Sequence, residues 1–176
     1  MGNQSERDKK IKMLQENLSS IRKIAGWTME ELGNKVGVSK QTVSNWEKIP
    51  PTPMNLTQYI AIRAVLDHEI IENKNEVLKE VVAILLDSGV EDDEKTYHEI
   101  REKVSTVAAA AAGGVSGAAL VSTYLGLVGP VSGGLAAVAG NLGLGLLFGP
   151  IGIAGGIVAG ATSSLWLKKI LRNKNK

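Results

Sequence analysis

The sequence predicts an all-α protein: a small helical bundle over residues 1–70, an acidic amphipathic helical connector over 71–103, a Gly/Ala-rich helical hairpin of membrane character within 104–167, and a basic tail over 168–176. Three observations support this. Between Ile11 and Leu66 apolar residues recur at three- and four-residue steps, and capping residues or glycines punctuate each run. Between Asn73 and Ser88 a wide apolar stripe has helical period. From Val104 to Leu167, 64 consecutive positions contain no Asp, Glu, Lys, Arg or His.

The first helix is marked by Ile11, Leu14, Leu18, Ile21 and Ile24 or Ala25, with Lys and Glu opposite, and Gly26 stops it. A second begins at once. Thr28 can cap it while Glu31 reaches back to the Thr28 amide, a capping box that satisfies two donors otherwise left open; Leu32 and Val36 face inward and Gly37 closes the run. Ser39 caps a third helix, Lys40 to Glu47, whose Val43 and Trp46 form one face while Lys40, Gln41, Ser44 and Asn45 point away. Trp46 is expected as a core anchor and Trp27 as packing. Beyond three prolines, Asn55 caps a fourth helix with Gln58 at the reciprocal position, and Leu56, Tyr59, Ile60, Ile62 or Ala64, and Leu66 are expected inward.

Two short helices joined at Gly37-Val38-Ser39 have the geometry that lets the second enter a DNA major groove. The run from Ile21 to Glu47, with its turn, cap, inward aliphatics and closing Trp46-Glu47 in register, resembles the phage-repressor-like, Cro-type helix-turn-helix family, also called the xenobiotic-response-element family. The resemblance covers about residues 8–66 and implies a bundle of about five helices that binds double-stranded DNA as a dimer. It implies that Lys40, Gln41, Ser44 and Asn45 reach base edges, that Thr42 belongs to the same DNA-facing set, that Lys48 approaches a phosphate, and that Arg22 and Glu47 form a structural ion pair. Gln41 and Asn45 suit bidentate adenine contacts. The chain departs from the family pattern at Met29, where Gln is common, and at Lys48-Ile49-Pro50-Pro51-Thr52-Pro53, where a Gly-containing turn is common. A helix-turn-helix reused for protein binding is the competing reading of this face.

In the connector, Val77, Leu78, Val81, Val82, Leu85 and Leu86 form a stripe that needs a partner, either the bundle itself or the same helix of a second subunit; a solvated spacer is the alternative. Asp92, Asp93 and Glu94 suit the start of a further helix, expected to run unbroken through Arg101 into the alanines and to link the two halves rigidly.

The uncharged stretch holds 15 glycines, with Gly113 and Gly117, Gly129 and Gly133, Gly145 and Gly149, and Gly152, Gly156 and Gly160 four apart. On helices this spacing makes flat strips that allow close association in lipid. Leu125 to Pro130 is echoed by Leu144 to Pro150, and each is followed by a Gly-Gly pair and a Val-Ala-Gly ending. Pro130 and Pro150 divide the stretch into pieces of about 25, 18 and 17 residues, against about 20 for a bilayer core. Trp166 followed by Lys168, Lys169 and Arg172 reads as an interfacial anchor with its charge on the cytosolic side, so crossings over about 106–128 and 146–167 are expected. Because Val104 to Gly117 is mostly Ala, Gly and Ser, which insert weakly, a buried soluble Gly/Ala core and conditional insertion are the competing readings.

The net charge of +2 averages unlike regions: ten basic and eight acidic residues in 1–70, five and ten in 71–103, five and none in 168–176. Without Cys there is neither a disulfide framework nor a thiol nucleophile, and His68 and His98 give no zinc spacing. No phosphate-cradling or catalytic motif is found, so no enzyme, cofactor or metal is expected. The polar start, Met1 to Lys10, lacks a signal-peptide core and is expected to be cytosolic. Together these features lead to the expectation of a membrane-tethered transcriptional regulator at the inner membrane, its N-terminal part cytoplasmic, acting on double-stranded DNA and lipid bilayer as a homodimer or higher homo-oligomer. Two alternatives stand beside it: a membrane-active pore-forming or phage-defence effector with a helix-turn-helix sensor, and a soluble regulator with a hydrophobic oligomerisation domain.

Overall fold

The computed structural model describes residues 2–87, 94–114 and 166–167. Among these residues the secondary structure is entirely helical: α1 (Gly2–Ile24), α2 (Met29–Val36), α3 (Lys40–Glu47), α4 (Leu56–Glu72), α5 (Glu76–Val82), a π-helical turn (Ala83–Asp87) and α6 (Glu94–Ala112). The all-α prediction therefore holds for the described residues. The expected hairpin lies mostly outside them.

While α2 rests on α3 and α4, helix α1 packs against α3, α4, α5, the π-turn and α6. Its apolar residues Leu14, Leu18, Ile21 and Ile24 are buried, and it starts well before the first periodic position, Ile11. Both predicted capping boxes form: the Glu31 amide donates to Thr28 Oγ1 at 3.1 Å while the Thr28 amide donates to Glu31 Oε2 at 2.6 Å, and Asn55 and Gln58 exchange the same pair of bonds at 2.9 Å. These local bonds start α2 and α4 where the sequence places them. In α4, Tyr59, Ile62 and Leu66 are buried as expected, but Ala64 is exposed and Arg63 takes the inward position.

The connector is a structural part of the bundle. All six stripe residues, Val77, Leu78, Val81, Val82, Leu85 and Leu86, are buried, with α5 and the π-turn packed on α1. Asn75 caps α5 by accepting from the Leu78 amide at 3.0 Å and ties it to α1 by donating to the Ile24 carbonyl at 3.3 Å. The widened π-turn brings Ile84, Leu85 and Leu86 inside consecutively, and Lys10 Nζ donates to the Leu86 carbonyl at 2.8 Å. A solvated spacer is thus excluded. The partner of the stripe is this chain's own bundle.

Helix α6 is packed on the same bundle. As expected it runs unbroken from Glu94 through Arg101 into the alanines, and it lies along α1, burying Ile100, Val104, Val107 and Ala108; the second half that it was expected to link lies outside the described residues. Asn17 Nδ2 donates to the Tyr97 hydroxyl at 2.8 Å across this contact. The helix ends at Ala112, and Gly114 turns the chain at φ 76°. The first expected crossing, 106–128, therefore begins inside a helix whose apolar side already faces α1, so it is not one continuous span from 106. Among the described residues no helix is long and apolar enough to cross a membrane. The rest of both expected crossings, with the four-residue glycine spacings beyond Gly114 and the internal repeat, lies outside the described residues.

Trp166 is found on the bundle. Expected at a bilayer interface, its half-buried indole sits against α4, where Nε1 donates to Asp67 Oδ2 at 2.7 Å.

Candidate nucleic-acid interface

The surface formed by α2, the turn and α3 is set by backbone constraints. Gly37 caps α2 at φ 73°, a left-handed conformation that a Cβ disfavours. Gly33 was missed as a site determinant: a Cβ there would lie 2.7 Å from the Val38 carbonyl oxygen, so only glycine lets α2 approach the turn this closely. The signal available was a glycine inside a helix where alanine would otherwise be preferred. Ser39 Oγ accepts from the Thr42 amide at 3.1 Å and starts α3.

The C-terminal end of α3 is then clamped to α1. Val43 and Trp46 are buried. Arg22 Nε and Nη2 donate to the two Glu47 carboxylate oxygens at 2.7 and 3.0 Å, and Nη1 donates to the Trp27 carbonyl at 2.6 Å, so the predicted ion pair forms and is buried. Gln15 is a second clamp that pattern reading did not single out. Its Nε2 donates to the Trp46 carbonyl at 3.4 Å and to the Thr52 carbonyl, while its Oε1 accepts from the Met54 amide at 3.3 Å. The Thr52 amide also donates to the Asn45 carbonyl at 2.9 Å. The proline-rich segment after α3 is therefore pinned at its end, leaving Ile49 97% exposed beside Lys48. Met29, the departure from the family pattern, packs partly buried on the core.

Lys40, Gln41 and Lys48 are exposed; Ser44 and Asn45 are half-buried on the same helix. Three of the expected residues form one network: Asn45 Oδ1 accepts from Gln41 Nε2 at 3.1 Å and from Lys48 Nζ at 3.0 Å. Thr42 is placed differently. Its hydroxyl pairs with Ser39 Oγ at 2.9 Å, so it belongs to the helix cap as well as to the polar face. No acidic residue lies in the first turn of α3, which leaves the positive end of the helix dipole unopposed there. Glu31, next door on α2, has its carboxyl held below the usual range by the Thr28 backbone and hydroxyl hydrogen bonds.

This geometry coincides with a family assignment. Residues 18–57 match the helix-turn-helix family model, a match running from the middle of α1 to the start of α4. These residues form a helix-turn-helix domain of Cro/C1 type. A domain of this kind suggests a DNA-binding regulator. No curated protein and no solved structure matches the chain.

Proposed function

We propose that this chain is a sequence-specific transcriptional regulator that reads an operator through α3 and is held at a membrane by its glycine-rich stretch. The observation that carries the DNA side is the Gln41–Asn45–Lys48 network on a helix capped at its start by Ser39 and clamped to α1 at its end. Preorganised amide groups lose little freedom on meeting a base edge. In this reading Lys40, Gln41, Ser44 and Asn45 contact bases, Thr42 orients the start of the helix, and Lys48 neutralises a phosphate, with two copies reading two half-sites. The membrane side is supported by the uncharged run that continues beyond α6 and by the five basic residues that follow Leu167. In this reading the regulator sits at the inner face of the cell membrane with α1 to α6 cytoplasmic.

The test starts by selecting duplexes that the full-length protein retains from a random pool. Gln41→Ala/Asn45→Ala is expected to weaken binding to a selected duplex by about 1–3 kcal/mol per lost bidentate contact, while affinity for random duplex changes little. Lys48→Ala is expected to weaken both alike and to reduce the salt slope by about one. Failure to select any duplex, or binding that neither variant alters, counts against the proposal. Carbonate extraction of cell membranes tests the tether: a chain released into the supernatant is not embedded.

A further inference from the structure

Helix α4 carries Tyr59, Arg63 and Asp67 at successive four-residue steps, which puts an aromatic ring, a guanidinium and a carboxylate on one face. All three meet the same indole. Trp166 stacks edge-on to Tyr59 at 6.0 Å and 84°, lies with its ring 5.1 Å from the Arg63 guanidinium carbon, and donates its N–H to Asp67 at 2.7 Å. The face of the ring, its edge and its one polar atom are thus each matched, which an aliphatic or phenyl side chain would not achieve.

The seat is also easy to vacate. Arg63 is 1% exposed; its Nη2 donates to Asp87 at 2.9 Å, but its buried Nε and Nη1 find no acceptor among the described residues. The indole covers a cation that is only partly hydrogen-bonded. When the ring leaves, water reaches those two donors and the Asp67 carboxylate, so hydration offsets part of the lost contact. Trp166 has, besides, a competing environment. It stands at the junction between the uncharged stretch and Lys168, Lys169, Arg172, Lys174 and Lys176. An indole beside a basic cluster suits the headgroup layer of an anionic bilayer. One ring cannot occupy both places.

We propose that Trp166 is a releasable latch, seated on Tyr59, Arg63 and Asp67 of α4 in the lipid-free protein and withdrawn when the end of the glycine-rich stretch engages an anionic bilayer. This rests on the membrane reading above. The seat itself does not. The latch couples lipid engagement to α4, which packs against α2 of the DNA-reading pair.

The intact protein labelled with fluorotryptophan gives three resonances for its three tryptophans, and Trp166→Phe assigns one of them. Without lipid, Asp67→Ala is expected to move the Trp166 resonance while those of Trp27 and Trp46 stay in place and report folding. Asp67→Asn, which keeps an acceptor oxygen, is expected to move it less. With vesicles of phosphatidylglycerol and phosphatidylethanolamine carrying an acyl-chain nitroxide, the wild-type Trp166 resonance is expected to shift to a position insensitive to Asp67→Ala and to broaden. A lipid-free resonance unaffected by Asp67→Ala overturns the seat. An unshifted resonance in protein that co-sediments with vesicles overturns the release. Failure to co-sediment at all overturns the membrane reading and release together, while the Asp67→Ala shift still distinguishes the seat. A lipid-free position that changes with protein concentration places the indole in a second copy and overturns the latch within one chain.

Discussion

Arg22 shows how one side chain holds a recognition surface in place. Its guanidinium serves the Glu47 carboxylate twice and the Trp27 carbonyl once, joining α1 to the end of α3 and to the entry of α2. Removing one partner of such a buried pair leaves an uncompensated charge, so Arg22→Ala is expected to destabilise by about 3–5 kcal/mol in urea unfolding. A loss below about 1 kcal/mol would show that the pair is not buried in solution. Tyr59 gives a pH-dependent counterpart. Burial pushes its hydroxyl up to about 12, with Arg63 opposing and Asp87 and Asp67 adding to the shift. The folded protein then keeps a proton that the unfolded chain releases near pH 10, so the associated stability is complete below pH 10 and is lost as pH rises towards 12. The loss is on the order of 2–3 kcal/mol. Urea midpoints across this window should fall in wild type and fall less in Tyr59→Phe. Residues whose roles depend on local bonds were legible in the sequence: Thr28, Ser39, Asn55 and their reciprocal partners are spaced for caps, and caps need only neighbours. Arg63, Gln15 and Trp166 were not legible, because their partners lie 24 to 99 residues away and no period encodes such a meeting.

At the scale of elements, α5 and α6 decide whether the reader domain can stand alone. The six-residue stripe of the connector was read correctly as needing cover, yet a stripe names no partner, and a second subunit would have satisfied it equally well. For α6 the alanines masked the outcome. The pattern from Val107 to Ala112 is uniformly apolar, so it does not reveal that Val107 and Ala108 are core while Ala109 is exposed. Because α1 packs against α5, the π-turn and α6, a fragment of residues 1–70 is expected to bare a long apolar strip of α1. Circular dichroism should show it melting without a sharp transition, whereas residues 1–114 melt cooperatively. Equal cooperativity in both fragments would mean that the later helices add nothing to the fold of the first four.

For the whole molecule, the change of composition after position 103 does not mark the end of a folded unit, since α6 runs from Glu94 to Ala112 across it. The family match over 18–57 covers the reader and leaves α5, α6 and Trp166 as features of this chain that the match does not describe. What the sequence conveyed best at this scale was its asymmetry of charge, and what it concealed was that both ends of the glycine-rich stretch return to the same bundle. Gly114 follows a helix packed on α1, and Trp166 is fastened to α4. The described residues on either side of 115–165 are thus both held to the bundle. A single protease cut between 115 and 165 should leave two polypeptides that co-elute under native conditions and part in denaturant.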